Sequence, residues 1–208
     1  MSLGFLAAVL ASPLGADPLP RIVCLGTSLT AGFGLDDPDL AWPALLQKKV
    51  DEAGLHYRVV NAGVSGETSA GALRRMDWLL KDKAAVLVVE TGANDGLRGQ
   101  DPAATRANIQ AILDRARRQS PPPTVVLAGM MAPPNLGTAY TQPFRAIFPE
   151  LAKANGAALV PFLLDGVAGV SHLNQADGIH PTAEGQRIVA DNVWRVLKPL
   201  LIPKGATR

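Results

Sequence analysis

Cysteine, histidine and aromatic residues are scarce in this chain. One cysteine, Cys24, stands among 208 residues, so no disulfide can form within a single copy. Its place inside an apolar run makes a buried, inert thiol the expected state. The three histidines are His56, His172 and His180. With one cysteine, none of them falls into the spacing of a zinc site, and His56 stands alone before a strand-like run. No metal and no cofactor is expected. Aromatic residues make up 5% of the chain, which is thin for a dedicated carbohydrate site built on ring platforms. No apolar stretch is long enough for a stable membrane span. Charge of one sign is also lacking: 20 Lys and Arg against 18 Asp and Glu leave a net charge of +2. The basic residues pair only briefly, as in Lys48-Lys49, Arg74-Arg75 and Arg117-Arg118, so no stripe for nucleic acid exists.

What is present is a slightly apolar globular composition, 48% hydrophobic and 18% charged, in a chain long enough for one α/β domain with a full core. Three segments are expected: an amino arm over residues 1–20, one domain over 21–200, and a flexible tail over 201–208. The first sixteen residues carry no charged side chain. They resemble the core and tail of a secretory signal, with small residues near Ala16, but lack its basic start. Two readings stay open, an export signal with a periplasmic or secreted product, and an arm on a cytoplasmic one. Oligomeric state is not legible.

Strand and helix patterns alternate throughout, which predicts a mainly parallel five-stranded sheet in a three-layer α/β/α sandwich. Strands are expected over Arg21–Leu25, Tyr57–Asn61, Ala85–Glu90 and Thr124–Ala128, with a fifth beginning at Ala158. Helices are expected over Asp39–Ala53, Ser69–Leu80, from Asp101-Pro102 to about Gln119, over Pro143–Ala154 and over Thr182–Leu197. The chain beyond Pro199 is expected to be loose.

In such sheets ligands bind beyond the carboxyl ends of the strands. Ser28 follows the first strand, Gly66 the second and Asn94 the third; Asp177 and His180 precede the last helix. A serine hydroxyl needs a base to act as a nucleophile. His180 can take its proton, and Asp177, three residues earlier, can orient the ring. The backbone N–H groups of Ser28 and Gly66 and the side-chain amide of Asn94 are suited to hold a developing oxyanion. Asp95 is expected to support the Asn94 loop. The rival base is His172, without a carboxylate in orienting position, and the rival serine is Ser65. Gly92 to Arg98 and Met130 to Tyr140 are expected to wall the cleft, the second stretch offering an adaptable apolar lining.

Four blocks carry a family resemblance. Gly26-Thr27-Ser28-Leu29, Asn61 to Thr68, Gly92-Ala93-Asn94-Asp95 with Gly96-Leu97-Arg98-Gly99, and Asp177-Gly178-Ile179-His180-Pro181 occur in order. They resemble the SGNH, or GDSL, hydrolases, over about Arg21 to Leu200, and among these the small bacterial arylesterase, lysophospholipase and acyl-thioesterase branch. The resemblance implies a flavodoxin-like fold and Ser28 as nucleophile. It also implies His180 as base with Asp177, and an oxyanion hole of Ser28, Gly66 and Asn94. The implied activity is hydrolysis of aryl esters, short- to medium-chain acyl esters, acyl thioesters or lysophospholipids through an acyl-enzyme. The alternatives are a carbohydrate O-deacetylase and a non-catalytic lipid- or glycan-binding relative. One position departs from the pattern. The usual acid before the serine is Thr27 here, and retained chemistry with altered loop stability or pH response is expected.

Overall fold

The computed structural model describes residues 19–202. Residues 1–18, nearly all of the expected amino arm, and 203–208, most of the expected tail, lie outside the described residues. Five short runs rich in valine, leucine and alanine form the strands β1 (Arg21–Gly26), β2 (Arg58–Gly63), β3 (Val86–Val89), β4 (Thr124–Ala128) and β5 (Ala158–Val160). All pair in parallel, in the order β2-β1-β3-β4-β5. This is the sheet that the alternating pattern predicts, in the flavodoxin-like order. β3 lies at its centre and is buried along its whole length, as a continuous apolar run requires.

The helices are α1 (Ser28–Ala31), α2 (Trp42–Glu52), α3 (Ser69–Arg74), α4 (Met76–Leu79), α5 (Ala93–Leu97), α6 (Pro102–Arg117), α7 (Thr138–Asn155) and α8 (Ala183–Leu201). The step from β1 to β2 runs one way along the sheet and every later step the other way. Right-handed crossovers therefore put α2 on one face and α3, α6 and α7 on the other. α8 returns to the face of α2, and the two pack together. Trp42, Leu46 and Val50 of α2 and Val189, Val193 and Leu197 of α8 are buried in the core. Each such side chain contributes about 1.5–3 kcal/mol relative to exposure. Gln186 of α8, itself buried, accepts from the Trp42 N–H at 2.9 Å and so completes the uncapped start of α2.

The structure differs from the sequence expectation at four helix boundaries. The predicted helix over Ser69–Leu80 is broken at Arg75, whose backbone sits at φ −95°, ψ 3°. Its guanidinium reaches away to the Glu67 carboxylate (2.7 Å) and the Gly26 carbonyl (3.2 Å). α7 starts at Thr138, not Pro143. Both Pro143 and Pro149 lie inside it, where packing of Phe144, Ile147, Phe148 and Leu151 offsets the lost backbone bonds. The predicted Asp39 start of α2 is a separate 3₁₀ turn, Pro38–Leu40. The chain after Pro199 remains helical through Leu201, which is buried, because that side chain closes the core.

Candidate active site

The strand order reverses between β1 and β3, and in open α/β sheets the crevice at such a reversal is where ligands bind. Register makes the strand ends level: Leu25 of β1 faces Ala62 of β2 and Val89 of β3. Three segments that leave these ends therefore start side by side.

Beyond β1, Gly26 leads to Thr27, and Ser28 opens the single turn of α1. Ser28 is 9% exposed. Beyond β3 comes Glu90, fully buried, which accepts from the Thr27 N–H (2.7 Å), the Thr27 hydroxyl (2.9 Å) and the Thr30 hydroxyl (2.7 Å). Burial pushes its pKa up to about 7 against the pull of those hydrogen bonds. Thr27, in place of the family's usual acid, thus serves as a donor to a carboxylate from the neighbouring strand.

Before α8, the loop that carries Asp177 and His180 is closed on itself. Gln175 N–H donates to the His180 carbonyl at 2.7 Å, and Asn174 bridges to Pro181. The Gln175 side-chain amide donates to the Phe33 carbonyl (2.7 Å) and the Pro181 carbonyl (3.1 Å), which ties this loop to the turn after α1. The Phe33 ring lies against the His180 ring, centroids 4.7 Å apart.

These elements bring the three expected side chains into one line. Ser28 Oγ lies 2.8 Å from His180 Nε2, and His180 Nδ1 lies 2.6 Å from Asp177 Oδ2. Asp177 Oδ1 accepts from the backbone N–H groups of Ile179 (2.9 Å) and His180 (3.0 Å). The ring bond first, and then the two backbone donors, lower the Asp177 pKa to about 2. A hydroxyl, a two-sided imidazole and an ionised carboxylate in this order can pass a proton from oxygen to ring while the carboxylate steadies the cation that forms.

Gly66 sits at φ 77°, a left-handed conformation that a side chain would strain. Its carbonyl is held by Arg98 Nη2 at 3.0 Å. Among the described residues, the backbone N–H groups of Ser28 and Gly66 make no hydrogen bond. The Asn94 amide donates to the Glu67 carbonyl at 3.0 Å, which uses one of its two hydrogens and leaves the other. Asp95 is buried, as a support residue should be. It accepts from the Ser69 N–H (2.8 Å) and the Ser69 hydroxyl (2.5 Å), and so fixes α5 to α3.

Ser28, Gly66, Asn94 and His180 line one cleft of about 800 Å³. Its walls include Leu97, Met130, Met131, Pro133 and Pro134, as expected from sequence, and Phe162, Leu164 and Ala168, which were not singled out. Those three follow β5 in irregular chain, where no periodic signal marks a lining residue. Leu136 and Tyr140 lie outside the lining; the Tyr140 hydroxyl donates to the Gln100 carbonyl instead. Ser65 lines the cleft, but the imidazole is taken by Ser28. His172 sits in a 3₁₀ turn away from the cleft. Among the described residues no cluster of three or more His, Cys, Asp or Glu side chains could hold a metal ion. No described helix is long and apolar enough to cross a membrane. Cys24 is buried, and burial pushes its thiol pKa far up, in keeping with the inert thiol expected.

The sequence pattern of the GDSL-like Lipase/Acylhydrolase family matches residues 24–188, a span that contains every one of these groups. The chain belongs to that family. Esterase TesA of Pseudomonas aeruginosa is 44% identical over 199 residues, 95% of this chain and 96% of the relative. Thioesterase 1/protease 1/lysophospholipase L1 of Escherichia coli K12 is 38% identical over 181 residues, 86% of this chain and 84% of the relative. Among solved structures, the psychrotrophic esterase EstA from Pseudoalteromonas sp., inhibited by monoethylphosphonate, is 34% identical. It superposes with a TM-score of 0.81 over 87% of this chain and 98% of its own. The family and branch expected from the four sequence blocks are thereby met.

Proposed function

We propose that Ser28 is the nucleophile, His180 the general base and acid, and Asp177 the residue that orients it. The Ser28 N–H, the Gly66 N–H and the Asn94 amide would form the oxyanion hole. The single observation that carries this reading is the line from Ser28 Oγ through His180 to Asp177, 2.8 Å and 2.6 Å, at the base of an apolar cleft. The chain is a carboxylic ester hydrolase acting on small acyl esters and thioesters.

In the acylation step His180 Nε2 takes the Ser28 proton as Oγ bonds to the substrate carbonyl carbon. The carbonyl oxygen becomes an oxyanion and meets the three donors. The intermediate collapses, the bond to the leaving alkoxide or thiolate breaks, and His180 returns the proton to it. Water then attacks the acyl carbon as His180 takes its proton, the bond to Ser28 Oγ breaks, His180 returns the proton to Oγ, and the carboxylic acid leaves. Phe162, Leu164, Met130 and Met131 supply the apolar surface against which an acyl chain or aryl group would lie.

Hydrolysis of a p-nitrophenyl ester series from acetate to palmitate, by wild type and Ser28→Ala in parallel, tests the assignment. Turnover lost in the variant supports it, and the chain-length optimum sizes the acyl site. Absence of turnover by folded wild type on every p-nitrophenyl ester, with turnover of acetylated sugars, would instead favour a carbohydrate O-deacetylase. Binding of ligand without any turnover would favour a non-catalytic relative. Export from the cytoplasm is proposed from the uncharged apolar start of the sequence; fractionation of cells making the tagged full-length chain tests it.

A further inference from the structure

Glu90 is a carboxylate in an expensive place. It is fully buried, and a buried charge is costly unless its hydrogen bonds are met. A leucine would fill the same space without that cost. Among the described residues, every hydrogen bond that the Glu90 side chain accepts comes from one short stretch, the turn that carries Ser28: Thr27 N–H, the Thr27 hydroxyl and the Thr30 hydroxyl.

The surroundings are shaped for this contact. Gly26 has no side chain to obstruct it. A Cβ there would lie 1.9 Å from Thr30 Oγ1 and 2.7 Å from Glu90 Oε2. The peptide between Gly26 and Thr27 is held from both ends. Its N–H points to Glu90, and its carbonyl accepts from the Val64 N–H (2.9 Å) and from Arg75 Nη2 (3.2 Å). Ser28 is the next residue, and its contact with His180 has no slack at 2.8 Å.

We infer that Glu90 is a positioning residue for Ser28, its carboxylate gripping Thr27 and Thr30 so that the serine hydroxyl stays within reach of His180. The inference rests on the reading of Ser28 as nucleophile. Glu90 touches no substrate. It acts through the turn, so its loss affects the rate of acylation and leaves the apolar cleft unchanged.

The test compares kcat and KM for p-nitrophenyl butyrate in wild type, Ser28→Ala, Glu90→Leu, Glu90→Gln and Thr30→Val, each with a thermal melt. Misplacing a reacting group by about 1 Å costs on the order of a hundredfold. Glu90→Leu is expected to lower kcat by about that factor, with KM within about twofold. Glu90→Gln keeps an acceptor oxygen for the Thr27 N–H and is expected to recover kcat to within about fivefold of wild type. If Glu90→Leu does not fold, Thr30→Val carries the test. It removes one bond without changing shape and should lower kcat about fivefold, with KM unmoved. A folded Glu90→Leu protein with wild-type kcat overturns the inference. So does a fall in kcat together with a rise in KM that glutamine does not rescue, which is the mark of a general structural role. Turnover that survives in Ser28→Ala would overturn the reading of Ser28 itself. Turnover that depends on Ser28 but is indifferent to Glu90 and Thr30 would overturn the positioning role alone.

Discussion

The two sides of the proposed active site are built in opposite ways. The serine side is set by the sheet: Thr27 and Thr30 are buried, and the carboxylate that grips them comes from just beyond β3, 63 and 60 residues away in sequence. The base side is set by its own loop. Asp177 and His180 are three residues apart, the Asp177 side chain is 39% exposed, and its partners are the His180 ring and the backbone N–H groups of Ile179 and His180. The serine side gains accuracy from burial, whereas the base side gains it from a local fold that water still reaches.

Removing the chemistry from either side should give equal losses. His180→Ala and Ser28→Ala are each expected to lower kcat by about 10⁴-fold or more, and the double variant by no more than either alone, because the pair acts as a unit. Steady-state assays with p-nitrophenyl butyrate check this; additive losses would mean the two groups work separately. Asn94→Ala, which touches neither side, should cost about 10²- to 10³-fold in kcat with little change in KM. Gln175→Ala probes the tie between the sides, since its amide joins the base loop to Phe33. A loss of about tenfold in kcat is expected, with the melting temperature nearly unchanged; an unchanged kcat would show that the loop holds its place without the tie.

The smallest effect on rate concerns pH. The folded pKa of Glu90 lies near 7, above its ordinary 4.5. Below 4.5 the group is protonated in both folded and unfolded chains. Between these values the folded chain keeps a proton that the unfolded chain has lost, so its stability declines as pH rises, and above 7 the full cost of the buried charge is present. Glu90→Gln should therefore gain stability relative to wild type from pH 5 to pH 8, by up to about 3 kcal/mol, measured as diverging urea midpoints. Parallel curves would show that Glu90 does not titrate there. Asp177 is shifted the other way, to about 2. Its contribution is present above 3.8 and lost only as pH falls toward 2, so the rate profile above pH 4 should show no step from it.

How much of this was legible follows the same division. Asp177 and His180 stand out in sequence because the geometry that joins them is local. The apolar strands and their alternation with helices were equally plain, because burial of a whole strand leaves a continuous mark. Glu90 was read only as the end of such a strand, since nothing near it in sequence names Thr27 as its partner. The break at Arg75 was hidden for the same reason, its cause being Glu67 and the Gly26 carbonyl. The early start of α7 was missed because Pro143 reads as a helix opener, and only the packed Phe144 and Phe148 show why the helix passes through it. Phe162 and Leu164 of the cleft wall sit in chain with no period to betray them.

The loop from Asn174 to Pro181 closes on itself through its own bridge and the Gln175 to His180 bond. The stretch just before it, Phe162 to Ala168, forms part of the cleft wall. Asn174 joins the two, its side-chain amide donating to the carbonyls of Val167 (2.7 Å) and Val170 (2.8 Å), so a change in the wall is passed to the loop that carries the imidazole. In evolutionary terms, the shape of this wall and the placement of His180 are coupled traits, held to drift together by one buried amide.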